Sequence, residues 1–169
     1  GYNVIAFDGE DGAPFFTSEI LDGFPRHISF GDVTGEGDLD IIAATYDRVQ
    51  VLSAQTGLKI WYYAIGGTMK RTAVADLDGN DTLDVICAGG ADFSGSPPNP
   101  GRSVWALKTA TSPLLWENGF GEYGNAVAVG NLNGDAFMDV IAVTSLDDAA
   151  FAINGETGLS HVGATVGDQ

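Results

Sequence analysis

Residues 76–84 read DLDGNDTLD and run straight into the apolar stretch VICAG at 85–89. The same arrangement occurs twice more without gaps: DVTGEGDLD at 32–40 before IIAAT at 41–45, and NLNGDAFMD at 131–139 before VIAVT at 140–144. A second motif occurs four times, as AFDGEDGAPFF at 6–16, VLSAQTGLKIW at 51–61, ALKTATSPLLW at 106–116 and AINGETGLSHV at 152–162. The first motif steps by 44 and 55 residues and the second by 45, 55 and 46, so the two interleave and each repeat unit contains both. The long middle step is explained by an insertion, ADFSGSPPNPG at 91–101.

Within a unit the periodicity is that of strands. Short β-rich runs bounded by Gly, Asp, Asn and Thr predict strands over 26–31 (A), 39–45 (B), 48–53 (C) and 59–65 (D) of the first complete unit, with the acidic loop between A and B. Strand B is almost wholly apolar, which predicts burial on both faces. Four strands in each repeat of this length make the blade of a β-propeller. The expected fold is therefore all-β, with four-stranded antiparallel blades. Residues 1–25 supply only C and D strands; full blades follow over 26–68, 69–122 (with the 91–101 insertion) and 123–169, all in one propeller domain. Three and a half blades make a partial ring with open sheet edges. Neighbouring blades or subunits are expected to cover those ends.

Charge and composition narrow the function. The chain of 169 residues has 23 acids against 7 bases, a formal charge of −16, which argues against nucleic acid and anionic membrane as partners. With 44% hydrophobic residues it is not an acidic disordered tail. No apolar run approaches the length of a membrane span, so no membrane insertion is expected. The single Cys87 excludes an internal disulfide, and the start at Gly1 rather than Met suggests a processed or partial chain.

The acids are concentrated in the three A–B loops. Counted from its first residue, each loop places side-chain oxygens at positions 1, 3, 5 and 9. These are Asp32, Thr34, Glu36 and Asp40 in loop one; Asp76, Asp78, Asn80 and Asp84 in loop two; and Asn131, Asn133, Asp135 and Asp139 in loop three. Backbone carbonyls at position 7 (Asp38, Thr82 and Phe137) can join them. Alternating oxygens in a tight turn form a cage for a hard cation, whose ligand number and flexibility favour Ca²⁺ over Mg²⁺. Up to three Ca²⁺ ions are expected. Without a cation, the clustered carboxylates repel one another. Loop two has the best register. Loop three, with two acids and Ala136 where glycine is easier, is expected to bind most weakly.

Other motifs carry less. Gly119–Gly124 spells G-x-G-x-x-G but has no helix after it, so the anion-binding geometry of a dinucleotide site is missing. Asn80 opens a glycosylation sequon, yet it is expected to face the cation. His27 and His161 read as packing or surface residues, and Cys87 as an inert core thiol. Trp61 and Trp116 are expected to pack between blades, with Tyr62 or Tyr63 exposed. The 91–101 insertion joins strands B and C, on the face opposite the acidic loops, and is a candidate for ligand contact.

The acidic loops resemble the calcium loops of FG-GAP/VCBS repeats, the blades of integrin α-subunit propellers. They match D-x-[DN]-x-[DN]-G-x-x-D in spacing, departing at Thr34, Glu36, Asp81, Asn131 and Ala136. The second motif is similar to the tryptophan-docking motif of quinoprotein-type propellers, A-x-D-x-x-T-G-x-x-x-W. Trp61 and Trp116 stand at its last position, and Phe16 and Val162 replace tryptophan elsewhere. The resemblance implies a calcium-stabilised extracellular or cell-surface module for binding or assembly, with a protein or glycan ligand, and not an enzyme. The alternative it implies is a piece of a larger propeller enzyme, such as a quinoprotein-like dehydrogenase or calcium-dependent polysaccharide lyase. A purely structural spacer is a third reading.

Overall fold

The computed structural model describes residues 1–65, 67–90, 103–108, 113–119, 124–144 and 149–165, with only the backbone described for 162–165. The 91–101 insertion lies outside the described residues. Among the described residues, fourteen strands form four antiparallel sheets. β1 (Ile5–Phe7) and β2 (Pro14–Thr17) pair alone. The first full sheet runs in the order β3 (His27–Gly31), β4 (Asp40–Ala44), β5 (Arg48–Ser53), β6 (Lys59–Ala64). The second contains β7 (Thr68–Ala75), β8 (Asp84–Gly90), β9 (Ser103–Leu107) and β10 (Leu114–Gly119). The third contains β11 (Gly124–Gly130), β12 (Asp139–Thr144), β13 (Ala149–Ile153) and β14 (Ser160–Thr165). Each full sheet is a meander in which sequence neighbours pair, the connection that short turns permit. The expected all-β architecture of propeller blades in a partial ring is what the chain adopts.

The period-2 alternation of strands explains how the sheets stack. In β4, Ile41 and Ala43 face one way, into a cluster with Leu21, Leu52 and the partly buried Val4 and Phe16. Ile42 and Ala44 face the other way, into a cluster with Val85, Cys87, Trp105 and Leu107 of the second sheet. From the second sheet Ile86, Ala88, Val104 and Ala106 point onward to Val140, Ala142 and Ile153 of the third. The B and C strands of the middle sheet are thus buried on both sides. Burying each large aliphatic side chain contributes about 1.5–3 kcal/mol, and this repeated layer is the core.

The β1–β2 sheet has two strands where the others have four, and the consequence is visible on the surface. Val4 and Phe16 cover only the part of the next blade formed by β4 and β5. Ile28 and Phe30 on β3 are exposed, as are Ile5 and Phe7 on β1, whose outer edge has no strand partner among the described residues. No helix among the described residues is long and apolar enough to cross a membrane.

Candidate functional site

Each acidic loop follows the first strand of its four-stranded sheet (β3, β7 or β11) and delivers its position-9 aspartate to the first residue of the next strand. Asp40, Asp84 and Asp139 are each buried there, at 3%, 1% and 0% exposure. Burial of three carboxylates at one register position needs compensation, and the loops supply it differently.

Loop two converges. One ligand atom each from Asp76, Asp78 and Asp84 lies within 4.8 Å of the others, the only such acid group of three among the described residues. Asp76 anchors the turn by accepting N–H bonds from Gly79 (2.8 Å), Asn80 (3.1 Å) and Asp81 (2.9 Å). Asp84 Oδ2 accepts the N–H of Leu77 at 3.0 Å. Asp78 Oδ1 is buried with no hydrogen-bond partner. Burial pushes the Asp84 carboxyl up to about 6; the Leu77 N–H opposes the rise, and the charges of Asp78 and Asp76 add to it. Lys108 Nζ stands 3.7 Å from Asp78 Oδ2 and supplies a partial counter-charge. A cluster with an unpartnered buried oxygen and an Asp held toward its neutral form is electrostatically incomplete. The donor set fits a hard divalent cation.

Loop one has the same turn but a different filling. Asp32 accepts N–H bonds from Gly35 (2.7 Å), Glu36 (3.1 Å) and Gly37 (2.8 Å). Partial burial acts upward on its carboxyl, but those N–H groups outweigh it and hold the carboxyl below the ordinary value. Asp40 Oδ2 accepts from the N–H groups of Val33 and Thr34 and from the Thr34 hydroxyl, each at 3.1 Å. The Thr34 hydroxyl, also 3.4 Å from Asp32 Oδ1, is thus placed to donate to the aspartates it was expected to join as a co-ligand. Glu36 and Asp38 are exposed.

Loop three is closed by its own amides. Asn131 Nδ2 donates to the Asp135 carbonyl, and Asn133 Nδ2 donates to Asp135 Oδ2 at 2.7 Å. Asp139 Oδ2 accepts the Leu132 N–H at 2.9 Å, and Asp139 Oδ1 lies 3.1 Å from His161 Nε2. Donors fill the space where a cation would need acceptors. The turn also differs: position 6 has a left-handed backbone at Gly37 (φ 88°) and Asp81 (φ 64°), but not at Ala136. This follows from sterics, because a Cβ disfavours positive φ and alanine has no side-chain oxygen to offset it.

Two contacts were not legible in the sequence. The position-7 residues Thr82 and Phe137, expected to offer only carbonyls, also send side chains to the preceding loop. A Cβ on Gly35 would lie 3.3 Å from Thr82 Oγ1, and one on Gly79 would lie 2.9 Å from Phe137 Cε1. Lys108 is the other. It aligns with Ser53 and Asn154, which cap their own turns by accepting N–H bonds from Thr56 and Thr157. The sequence signal was a cation at a capping position in that repeat alone.

The remaining residues sort simply. Trp116 is buried between the second and third blades, and Tyr62 is exposed beneath the Arg48 guanidinium, 5.3 Å from the ring centre. Cys87 is buried, and burial pushes its thiol far up. His27 Nδ1 accepts the Thr72 N–H at 3.2 Å; burial lowers its pKa, with the Arg71 charge adding to the effect. Gly119 ends β10 and Gly124 opens β11; residues 120–123 lie outside those described.

No protein-family model and no curated protein matches the sequence. Among solved structures the chain is similar to BBS1N in its complex with ARL6DN, with a TM-score of 0.60 and 10% identity over 89% of this chain and 46% of that one. Weaker likenesses are to the V. cholerae biofilm matrix protein Bap1 (TM-score 0.44, 16% identity, 96% of this chain, 32% of that one) and to BamB from Moraxella catarrhalis (0.41, 12%, 97% and 58%). The chain spans less than two thirds of each. The first of these likenesses agrees with a β-propeller-like fold, and at such identities only the fold is shared.

Proposed function

We propose that this chain is a calcium-stabilised β-propeller module of the FG-GAP/VCBS type, serving extracellular or cell-surface binding or assembly rather than catalysis. The observation that carries the reading is the convergence of Asp76, Asp78 and Asp84 around the unpartnered, buried Asp78 Oδ1. These three carboxylates, with the Asn80 side-chain oxygen and the Thr82 carbonyl, would hold the ion. Bound Ca²⁺ would neutralise the cluster, displace Lys108 as counter-charge and tie the turn to the mouth of β8. Sites in loops one and three are weaker in this reading, because Thr34 and the two asparagines already spend hydrogen-bond donors on the loop carboxylates and carbonyls.

The extracellular setting follows from affinity: modules of this kind bind in the range of about 10⁻⁴–10⁻³ M, where only a calcium-rich medium fills them. Assembly is supported by the open edge of β1 with its exposed Phe7, and by the exposed Ile28 and Phe30 on β3. Protein-binding and glycan-binding roles are both compatible with such a scaffold. Calorimetric titration of the EDTA-treated protein with Ca²⁺ and with Mg²⁺ tests the central claim. One dominant Ca²⁺ site, lost in Asp78→Asn, is the expected result; no heat above the Mg²⁺ control overturns it.

A further inference from the structure

The chain has only 7 Lys and Arg residues, and their placement is uneven. Arg48, Lys59 and Lys108 pair with Asp22, Asp47 or Asp78. Arg102 lies outside the described residues. Arg26, Lys70 and Arg71 line a single cavity of about 340 Å³ together with Thr68 and Asn125, and Lys70 has partners of its own. Arg26 and Arg71 are exposed, and among the described residues neither guanidinium has a carboxylate within 4.0 Å. Two guanidiniums at one mouth with no carboxylate partner among the described residues are a marked departure in a chain with 23 acids.

The repeat builds this mouth. Arg26, Lys70 and Asn125 each stand six residues before the first residue of their acidic loop, near the start of the first strand of their sheet. The cavity is therefore at the opposite end of those strands from the acidic loops, about 20 Å away at the rise of an extended chain. The groups around it are placed as donors. Arg26 lies over the Phe24 ring, 5.1 Å from its centre, which restrains the guanidinium. Arg71 uses one N–H on the Lys70 carbonyl at 3.0 Å, leaving the rest of its fork available. Lys70 Nζ donates to Asn125 Oδ1 at 3.4 Å, so the Asn125 amide hydrogens turn elsewhere. His27 beside Arg71 is held toward its neutral form by burial, so it adds no charge there.

We propose that this mouth binds a ligand through a compact oxyanion, a carboxylate or sulfate group, gripped by the Arg26 and Arg71 guanidiniums. Guanidinium forks match such planar or tetrahedral oxygens in pairs of charge-assisted hydrogen bonds. The surrounding charge of the chain repels anions at long range, so recognition depends on this local pair and not on general attraction. The cavity volume suits one such group with a sugar-ring-sized body. The site is separate from the calcium loops, and its existence does not depend on them.

The test is an NMR titration of the full chain with sodium sulfate and with sodium glucuronate, against sodium chloride at matched ionic strength, with and without Ca²⁺. Saturable shifts at the Arg26 and Arg71 Nε–H groups and the Thr68 and Asn125 amides are expected for at least one probe. Saturation by glucuronate alone assigns a carboxylate ligand, by sulfate alone a sulfated one, and by both a general oxyanion site. Arg26→Gln and Arg71→Gln should each weaken binding at least about tenfold, as loss of a charge-assisted pair implies, with the melting temperature unchanged. Shifts that follow the chloride control, or that persist in the double variant, overturn the proposal. Failure of calcium binding leaves these expectations intact, so the two readings fail separately.

Discussion

The indole Nε1 of Trp116 donates a 2.6 Å hydrogen bond to the carbonyl oxygen of Gly155, joining the outer strand of one blade to the C–D turn of the next. The ring then rests on Gly158, whose backbone is left-handed (φ 70°) and whose Cβ, if present, would fall 2.6 Å from Trp116 Cγ. The T-G pair of the second motif is thus a seat for the aromatic ring of the preceding blade. Phe16 uses Gly57 in the same way, with the built Cβ 2.9 Å from Phe16 Cδ2, but it has no N–H to donate.

Trp116→Ala should cost about 3–5 kcal/mol, the range for removing a large buried aromatic. Trp116→Phe keeps the ring but strands the Gly155 carbonyl, and should cost about 1–3 kcal/mol. Urea unfolding of both variants checks the order. Equal stabilities for Trp116→Phe and the parent would show that the hydrogen bond contributes nothing.

Asp81 is the one described non-glycine residue with positive φ, at 64°. Replacing it by glycine relieves that backbone and removes a charge near the carboxylate cluster. Asp81→Gly should stabilise the protein by up to about 1 kcal/mol, the steric relief being partly offset by unfolded-chain entropy. A lower melting temperature would refute the assignment of strain.

Calcium dependence should be unequal among the loops. Asp84→Asn should abolish most of the rise in melting temperature that Ca²⁺ produces, whereas Asp139→Asn should leave that rise largely in place. Asp139 is occupied by Leu132 N–H and His161. Differential scanning fluorimetry with Ca²⁺ and with EDTA measures both. The ranking fails if the two variants lose the response equally.

In the calcium-free protein the Asp84 carboxyl should contribute stability near pH 4 that is absent at pH 7, read as the difference between the parent and Asp84→Asn. The Asp84 carboxyl is raised to about 6 in the folded chain from an ordinary value of 3.8, so folding favours its protonated form. Its contribution is fully present below the unfolded value and is lost as pH rises through about 6. Saturating Ca²⁺ should flatten this dependence, because the ion takes over the proton's role. Melts in EDTA between pH 4 and 7.5 that match those of Asp84→Asn in slope would count against the assignment.

The repeat, the blade and the register of the acidic loops were readable in the chain because they are local. Alternation in IIAAT and VICAG dictates strands buried on both faces, and Asp or Asn beside glycine dictates tight turns. The acids that converge in loop two were also readable, from their count and spacing. Thr34, however, looked like a ligand, and only the fold revealed its hydroxyl turned onto Asp40.

By itself, then, the sequence determined which segments pair into sheets and where oxygen-rich turns fall, since hydrogen-bonded meanders need only neighbours along the chain. Tertiary structure alone decided what meets across blades: Trp116 on Gly158, Phe137 on Gly79, and Arg26 with Arg71 around one cavity. The physical reason is that these contacts depend on the stagger and stacking of successive twisted sheets, which bring together side chains from well-separated stretches of the chain.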